Sequence, residues 1–301
     1  MIRFFMKPYR WAILFSLLLV GSVTFVLLDT FVIPKSIQKV VTNSETQTQN
    51  TTKSQSDAVV TATSYQDDNI KITIETVQKY NSTIYIADIQ VSDASYLKTA
   101  FANDTYGRNI KDTTSDMASA NNAILAINGD YYGFRDSGYV LRNGVLYRSI
   151  ARKTGDDGAL VINAAGDFSV IHESQVSANS LTADISQILS FGPSLIENGQ
   201  IMVSSSSEVS QSMSSNPRTA VGQISSLHYV IIVSDGRTSA STGLSLLELA
   251  QEFKERGCTT AYNLDGGGSS TMYFNGKVIN NPTDGKTTGE REVSDIVYFG
   301  Y

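Results

Sequence analysis

The chain has 301 residues, 17% of them charged, and a formal net charge of −6 at pH 7. Six of its 23 Lys and Arg residues and three of its 29 Asp and Glu residues precede residue 65, so the remaining 237 residues carry a net charge of −9. This acidic balance argues against a nucleic-acid partner, which would need a basic surface, and a single cysteine excludes an internal disulfide.

The first predicted element is an apolar segment near the N-terminus. Residues 11–28 contain no charged side chain and are long enough to cross the hydrocarbon core of a bilayer. The apolar character continues through residues 31–33 without a clear small-residue cleavage site, which favours an uncleaved membrane anchor at 11–33 over a cleaved signal sequence. Because basic residues precede the segment, residues 1–10 are expected in the cytoplasm and the rest of the chain outside.

The rest of the chain divides into a tether and one domain. Residues 34–64 are rich in Ser, Thr, Gln and Asn and have too few large apolar residues to order themselves, so they are predicted to be a disordered tether. Residues 65–301 fit the size of a single extracytoplasmic domain. Cys258 lies between a predicted helix and an apolar strand and is expected to be a small buried hydrophobe rather than a nucleophile.

Short strands dominate the domain. Isoleucines alternate with polar residues over 70–74 and 84–86, which predicts a hairpin with one solvent-exposed face. Residues 123–127 are nearly all apolar and predict a buried strand, and residues 159–172 predict a further hairpin. Asn-Gly pairs between apolar runs are typical of two-residue hairpin turns and occur at Asn143-Gly144, Asn198-Gly199 and Asn275-Gly276.

Two helices are expected within the sheet. A short one covers residues 114–122, and a clearer one follows Ser245, which forms a capping box with Glu248. A strand at 229–234, this helix and a strand at 259–264 suggest a crossover unit. The predicted fold class is therefore α+β, a domain of mainly mixed β-sheet with a few helices, preceded by one transmembrane helix.

One stretch places an aspartate and three consecutive glycines between two apolar runs. Glycines are costly to order, so such a run suggests positive φ angles or close approach of the backbone to another group. The functional interpretation is an anion-binding cradle of backbone amides and hydroxyls beside Asp265, which would act as acid, base or metal ligand. The cradle would comprise Gly266, Gly267, Gly268, Ser269 and Ser270. The alternative is an ordinary glycine-rich turn that begins with an aspartate.

A second segment follows the predicted strand at 123–127. It places Asp130 among the aromatic residues Tyr131, Tyr132 and Phe134. Polar residues at strand ends are where sites tend to be built, and aromatic rings suit the face of a sugar. The alternative is a turn with ordinary aromatic packing.

Further charged residues lie at the ends of other predicted strands. Arg218 follows a proline, and a guanidinium held in this way suits bidentate binding of phosphate or carboxylate. Asp235 and Arg237 share a turn, and Arg291 precedes the final strand. Salt bridges and a solvated charge cluster are the alternatives. The two histidines have no metal-binding spacing and are interpreted as structural.

In this order, the segments resemble the phosphodiester glycosidase family, over roughly residues 84–301. The motifs that carry the resemblance are Asn128-Gly129-Asp130-Tyr131-Tyr132, Asn216-Pro217-Arg218-Thr219-Ala220-Val221-Gly222, Asp235-Gly236-Arg237, and Asn263-Leu264-Asp265-Gly266-Gly267-Gly268-Ser269-Ser270-Thr271-Met272. The family includes a lysosomal enzyme that removes N-acetylglucosamine from a sugar phosphodiester, and bacterial proteins described as exopolysaccharide biosynthesis factors.

The resemblance implies hydrolysis of the bond between an anomeric carbon and a phosphodiester oxygen. Such chemistry needs a carboxylate near the developing positive charge and groups that stabilise the leaving phosphate. The candidate catalytic residues are Asp265, Asp130 and Asp235. The candidate substrate-binding and phosphate-binding residues are Arg218, Arg291, Arg237, Asn128, Thr219, Gly266, Gly267, Gly268, Ser269 and Ser270.

No cofactor is required for this chemistry. A divalent cation, Ca²⁺ or Mg²⁺, is left open because Asp130, Asp235 and Asp265 could converge with backbone oxygens into an oxygen-ligand site. The leading function is a membrane-anchored extracytoplasmic hydrolase of a sugar-1-phosphodiester bond in a cell-surface glycopolymer of the exopolysaccharide or teichoic acid type. The alternative is a non-catalytic factor for exopolysaccharide assembly or polysaccharide binding that uses the same cleft. A serine hydrolase using Ser269 is disfavoured because no nucleophile elbow surrounds it.

Overall fold

The computed structural model describes residues 9–37, 58–153, 158–181, 184–207, 215–285 and 287–301. The predicted cytoplasmic tail, residues 1–10, and the predicted tether, residues 34–64, lie mostly outside these ranges. Helices in the described part are α1 (Arg10–Phe31), α2 (Thr114–Ala120) and α3 (Leu246–Glu255).

The first helix has the character expected of a membrane span. It is 22 residues long and mostly apolar, and none of its residues is buried against the domain, a length and composition that a membrane span shares with a signal sequence. The other two helices begin at capping residues, as predicted for α3. The Thr113 side chain accepts from the Asp116 amide at the start of α2, and Ser245 and Glu248 form the reciprocal capping box of α3.

Most of the regular secondary structure of the domain is strand. In chain order they are β1 (Lys35–Ser36), β2 (Val59–Val60), β3 (Ser64–Gln66), β4 (Ile70–Lys79), β5 (Ser82–Val91), β6 (Leu97–Phe101), β7 (Gly107–Arg108), β8 (Ala123–Asn128), β9 (Val140–Arg142), β10 (Val145–Arg148), β11 (Gly158–Asn163), β12 (Phe168–His172), β13 (Ile185–Leu189), β14 (Ser194–Glu197), β15 (Gln200–Ile201), β16 (Arg218–Ser225), β17 (His228–Ser234), β18 (Thr260–Asn263), β19 (Met272–Phe274), β20 (Lys277–Val278), β21 (Thr283–Asp284), β22 (Thr287–Thr288) and β23 (Asp295–Gly300).

The strands form one large sheet of nine strands, two smaller sheets of five strands, and the two-stranded pairs β1-β7 and β21-β22. The large sheet has the order β15-β14-β18-β16-β17-β5-β4-β3-β2, and the smaller sheets have the orders β20-β19-β8-β23-β6 and β10-β9-β13-β11-β12. The prediction of a mainly β domain with few helices is confirmed. Between the described strands every pairing is antiparallel, which refines the expectation of a mixed sheet.

The predicted crossover is present. Strands β17 and β18 both pair antiparallel with β16, so they run parallel to each other, and α3 connects them. The predicted hairpin turns are also confirmed, because both residues of each Asn-Gly pair have positive φ, as type I′ turns require. One expectation is wrong for half of the first hairpin: β4 alternates buried and exposed residues, but β5 is buried on both faces because it lies in the middle of the large sheet.

The core lies on both faces of the large sheet. On one face, Leu249 and Phe253 of α3 pack with Ile232 of β17. On the other, residues such as Ile231 pack against Leu125 of the sheet that contains β8, whose outer face is covered by α2. Cys258 is buried beside α3, and burial raises the pKa of its thiol to about 12, as expected for a small hydrophobe and not for a nucleophile.

A buried ion cluster joins the two smaller sheets at the ends of β8, β9 and β23. The Nη2 atom of Arg142 lies 2.9 Å from Oδ2 of Asp130 and 2.8 Å from Oδ2 of Asp295. All three side chains are at most 2% exposed. Burial raises the pKa of Asp295 to about 7, against the pull of Arg142. The cation therefore compensates two carboxylates that have lost their water.

Replacing Arg142 by alanine should destabilise the domain by about 3–5 kcal/mol, because it leaves two buried carboxylates without their cation. The loss should be larger at pH 8 than at pH 5. When the pKa of a carboxyl is higher in the folded state than in the unfolded state, the protein loses stability as the pH rises from the lower pKa to the higher one. Removing Arg142 raises the folded-state pKa of Asp295 further, so the loss continues to a higher pH. Urea unfolding of the full chain in detergent at both pH values measures this.

The matched control is Arg108→Ala. Arg108 pairs with Asp136 at 2.8 Å, but the two side chains are 36% and 79% exposed, so the change should cost less than about 1 kcal/mol. Equal losses for the two variants would show that burial of the Arg142 cluster does not govern its contribution.

Candidate active site

Two of the motifs, those containing Asp130 and Asp265, meet the segment around Arg291 at one cavity of ≈ 350 Å³. The motifs containing Arg218 and Asp235 do not line it. Its walls come from three stretches of chain, 129–134, 265–269 and 284–295, with Lys111 at one side. Among the predicted site residues, Asp130, Asp265, Ser269 and Arg291 contribute to these walls. Segments more than a hundred residues apart in sequence therefore share one site.

A buried asparagine holds these segments together. Asn128, at the end of β8, donates from Nδ2 to the backbone oxygen of Asp265 at 2.6 Å. Its Oδ1 accepts from the Thr219 hydroxyl at 2.8 Å and from the Thr271 amide at 3.3 Å. Asn128 and Thr219 are fully buried. The structure thus gives these two predicted binding residues a positioning role beneath the cavity.

The amides of the triglycine loop do not form the expected anion cradle. Gly267 has a φ of +62°, and residues Gly267–Ser269 form a 3₁₀ turn. In this turn, backbone amides of the loop donate to backbone carbonyls of the loop. The amides donate as follows: Gly266 to Asp265 Oδ1, Gly267 to the Pro217 carbonyl, Ser269 to the Gly266 carbonyl and Ser270 to the Gly267 carbonyl. For these four amides the prediction of an anion-facing backbone is wrong.

The glycines instead make room for arginines. A β-carbon built on Gly266 would first meet the Pro217 carbonyl oxygen, at 2.9 Å, with Cδ of Arg218 in ordinary contact at 3.9 Å. On the next two glycines it would meet an arginine, Nη2 of Arg237 at 2.7 Å from Gly267 and Nη2 of Arg291 at 2.5 Å from Gly268. The last two distances are shorter than carbon–nitrogen contact allows. Positions 267 and 268 therefore accept only glycine while these guanidinium groups stay in place. Three arginines from distant parts of the chain thereby lie along one loop.

Arg291 is held by an aspartate that sequence reasoning missed. Oδ1 of Asp284, in β21, accepts from Nε of Arg291 at 3.0 Å and from Nη2 at 2.5 Å. The guanidinium holds the pKa of Asp284 below its usual range. Both side chains line the cavity and are less than half exposed. In the sequence Asp284 is an isolated acid in a polar loop, a signal too weak to single it out.

Asp265 occupies a different environment from the other acids. It is half-buried, lines the cavity, and burial raises the pKa of its carboxyl. A hydrogen bond from Ser269 and the charge of Arg291 act in the opposite direction and favour the carboxylate. Asp265 is therefore a carboxyl aimed at the cavity between a hydroxyl and a guanidinium, the arrangement that suits acid–base or electrostatic catalysis.

The two other predicted catalytic aspartates are engaged elsewhere. Asp130 accepts from the amides of Tyr132 and Ser190, at 3.1 and 2.7 Å, in addition to its ion pair with Arg142. Both of its carboxylate oxygens are thus used to fix the segment that follows β8.

Asp235 likewise holds a loop. It accepts from the backbone and side-chain nitrogens of Asn281, at 2.8 and 2.9 Å, and the Tyr85 hydroxyl lies 3.3 Å away. Because Asp130, Asp235 and Asp265 have separate partners, they do not build the shared oxygen-ligand site left open above. Among the described residues no group of three or more His, Cys, Asp and Glu residues is arranged to hold a metal ion.

The remaining predicted arginines lie on either side of the loop. Arg218 is 3% exposed, and its Nε donates to the Leu244 carbonyl at 2.9 Å. Arg237 is exposed, and its Nε lies 3.3 Å from Oδ1 of Asn216. Of the three arginines at the loop, Arg291 is therefore the one placed in the cavity wall.

Two aromatic residues stand at the rim. Tyr131 and Phe134 line the cavity, are each 38% exposed, and stack with ring centroids 4.8 Å apart. The third predicted stacking residue, Tyr132, is 2% exposed and packs against Phe101 and Tyr106 in an aromatic cluster, so its predicted contact with sugar is wrong.

Comparison with known proteins identifies relatives of this chain. A family model described as phosphodiester glycosidase matches residues 121–300. The chain is 32% identical over 203 residues to the SPbeta prophage-derived uncharacterized protein YomE of Bacillus subtilis, covering 65% of this chain and 31% of that protein. It is 28% identical over 196 residues to N-acetylglucosamine-1-phosphodiester alpha-N-acetylglucosaminidase of Mus musculus, covering 57% of this chain and 36% of that enzyme.

Solved structures show the same fold. The catalytic domain of zebrafish N-acetylglucosamine-1-phosphodiester alpha-N-acetylglucosaminidase, auto-inhibited by its pro-peptide, aligns with a TM-score of 0.60 at 19% identity, covering 77% of this chain and 83% of that one. A hypothetical protein from Synechocystis aligns with a TM-score of 0.53 at 13% identity, covering 77% and 62%. The chain spans about a third of the length of the curated relatives it matches. Because the family model covers more than half of it, the chain belongs to the phosphodiester glycosidase family.

Proposed function

We propose that this protein is a membrane-anchored, extracytoplasmic hydrolase that cleaves a sugar-1-phosphodiester bond in a cell-surface glycopolymer. The observation that carries the proposal is the placement of Asp265 and Arg291 in one cavity, with burial raising the pKa of the carboxyl. A carboxylate and a guanidinium facing the same space suit a reaction in which positive charge develops on a sugar while a phosphate leaves.

The reaction breaks the bond between the anomeric carbon and the phosphodiester oxygen. Water adds to the anomeric carbon, and the products are a sugar with a free anomeric hydroxyl and a phosphomonoester. Asp265 as carboxylate stabilises the developing positive charge and orients the water. Arg291 binds the leaving phosphate, which is already a weak base and needs no strong acid to depart.

Neighbouring residues prepare these two groups. Asp284 engages Nε and Nη2 of Arg291 and so fixes the plane of the guanidinium before substrate binds. Ser269 donates to Asp265, a hydrogen bond that lowers the pKa of the carboxyl against the larger effect of its burial. The Asn128 side chain donates to the backbone oxygen of Asp265 and so fixes the position of that residue. The exposed Tyr131–Phe134 pair offers a surface for the sugar.

A second candidate is a non-catalytic factor that binds exopolysaccharide or assists its assembly through the same cavity. Binding alone would not require a carboxyl whose burial opposes its ionisation, which favours the enzyme. Incubating the full chain with a methyl N-acetylglucosamine-1-phosphodiester and assaying reducing sugar separates the two. If the protein binds exopolysaccharide but releases no sugar from the phosphodiester, the binding factor is favoured.

Changing Asp265 to asparagine should lower turnover by about 10²–10⁴-fold, because the amide cannot carry the charge that the reaction needs. Stability should not fall, because the amide removes a carboxyl whose burial opposes its ionisation. Release of reducing sugar and urea unfolding are the paired measurements. The matched control is Asp104→Asn, an exposed carboxyl outside the cavity walls, which should leave turnover unchanged. Normal turnover by the Asp265 variant would refute its assignment.

The pH profile should report the environment of Asp265. Because burial raises its pKa, kcat/KM should begin to fall on the acid side at a pH above the ordinary aspartate range. Arg291→Gln removes a charge that favours the carboxylate, so the acid limb should move to higher pH while kcat/KM falls. Lys277→Gln, an exposed charge on β20, serves as the control and should move neither. An unshifted acid limb in the Arg291 variant would place the titrating group elsewhere.

Adding a methyl group at Gly268 should disable Arg291 indirectly. The new β-carbon would lie 2.5 Å from Nη2 of Arg291, so the guanidinium must leave its place. Gly268→Ala should therefore lower kcat/KM about as much as Arg291→Gln, roughly 10²–10³-fold. The double variant should lose no more than Arg291→Gln alone, because both changes remove the same interaction. Additive losses would mean that the glycine serves another purpose.

A further inference from the structure

The end of α1 is fastened to the domain rather than separated from it by the predicted tether. The side chain of Asn109 donates to the backbone oxygens of Thr30 and Ile33, both at 3.1 Å. These oxygens belong to the last turn of the helix and its exit, where carbonyls lack partners within the helix. Asn109 is 8% exposed, so its side of the contact is buried.

The chain that leaves the helix then pairs with the domain as a strand. Lys35 lies opposite Arg108 and Ser36 opposite Gly107, and the Ile37 amide donates to the Tyr106 carbonyl at 3.1 Å. We call residues 30–37 and 106–109 together the anchor joint. A β-carbon at Gly107 would overlap the Lys35 carbonyl oxygen, so the pairing depends on glycine at this position.

The anchor joint adjoins the candidate active site. Lys111, which lines the cavity, is two residues after Asn109, a span of about 7 Å at most. On the other side, Tyr106 of the joint stacks on Tyr132 with ring centroids 5.2 Å apart, and Tyr131 at the cavity rim follows directly in the chain. The joint thus lies next to residues that line the cavity without lining it itself.

A docked joint sets the height of the cavity above a bilayer. With α1 in the membrane, its C-terminal end lies at the headgroup region, because the apolar stretch ends there. The exposed residues Phe31, Val32 and Ile33 continue the apolar surface up to the joint. A cavity wall about two residues from the joint is therefore held close to the headgroups, whereas a flexible tether would let the domain sample tens of ångströms.

The cavity rim suits that position. The segment carrying the exposed Tyr131–Phe134 pair is linked to the joint by the ion pair between Arg108 and Asp136, 2.8 Å long. Aromatic side chains favour the boundary between headgroups and water, where their rings are half-solvated. The rim on the joint side therefore presents the residue types that contact a membrane surface.

We propose that the substrate is a sugar 1-phosphodiester whose second ester arm is a membrane-embedded lipid. The inference rests on the proposed hydrolysis of a sugar-1-phosphodiester bond, with a lipid in place of the glycopolymer, and on α1 staying attached to the domain. Water adds to the anomeric carbon, the bond from that carbon to the phosphodiester oxygen breaks, and the products are the free sugar and the lipid phosphomonoester, which keeps the phosphate and stays in the membrane. Substrate and enzyme then meet within one surface, which raises their effective concentration.

The test uses the full chain in phosphatidylglycerol and phosphatidylethanolamine vesicles with two substrates. One is the water-soluble methyl N-acetylglucosamine-1-phosphodiester, and the other carries a hexadecyl ester arm and is inserted into the same vesicles. Released reducing sugar is measured for both. The lipid-borne substrate should be cleaved at least about tenfold faster at equal bulk concentration.

Two variants then test the joint. Gly107→Ala and Asn109→Ala should each reduce the preference for the lipid-borne substrate by about tenfold, since undocking lets the domain move away from the surface. Their turnover of the soluble substrate should stay within about twofold of the unchanged protein, because neither residue lines the cavity. Ser36→Ala, an exposed side chain in the same strand pair, is the control and should keep the preference.

The outcomes separate the two proposals. Cleavage of neither substrate would overturn the proposed glycosidase function. Cleavage of the soluble substrate without faster cleavage of the lipid-borne one would overturn the present inference alone. A preference that survives both joint variants would show that the joint does not hold the cavity at the membrane. If one joint variant fails to fold, the loss of its soluble turnover reveals this and the other variant decides.

Discussion

The absence of side chains at residues 266–268 is the constraint on which the site depends. A β-carbon at Gly267 or Gly268 would occupy the space of the Arg237 or Arg291 guanidinium. Two guanidinium groups can lie along one short loop only because the loop has no side chains there and because acceptors such as Asp284 compensate their charge. A third arginine, Arg218, lies near Gly266. The conformational cost of three consecutive glycines is thus offset by the room that the loop gives to guanidinium groups, of which that of Arg291 lines the cavity.

The acids of the site divide into two kinds for a physical reason. Asp130 and Asp295 share the buried cation of Arg142, and Asp235 is held by Asn281, so their oxygens are used to join strands and loops. Asp265 faces the cavity, and its burial works against its charge. The neighbouring carboxylates are thus held by partners within the protein. Asp265 is the carboxyl whose ionisation the substrate and Arg291 can influence.

The site has a defined position relative to α1. The helix end, the β1–β7 pair and the aromatic cluster around Tyr132 form a continuous path from the apolar segment to the cavity rim. Because each contact involves backbone or buried groups, the path is stiffer than a Ser- and Thr-rich linker would be. An apolar helix joined in this way can orient the domain as well as retain it.

Local patterns in the sequence determined the elements. The capping box of α3, the Asn-Gly turns, the buried strand β8 and the apolar helix α1 follow from periodicity and backbone preference, which act within a few residues. The motif order also indicated the family and the residues around the cavity. Only the tertiary structure decided which of those residues face the cavity, that Asp130 is locked by Arg142, that Asp284 fixes Arg291 and that the glycines accommodate arginines. These contacts join positions far apart in the chain, and a sequence pattern carries no measure of the distance between them.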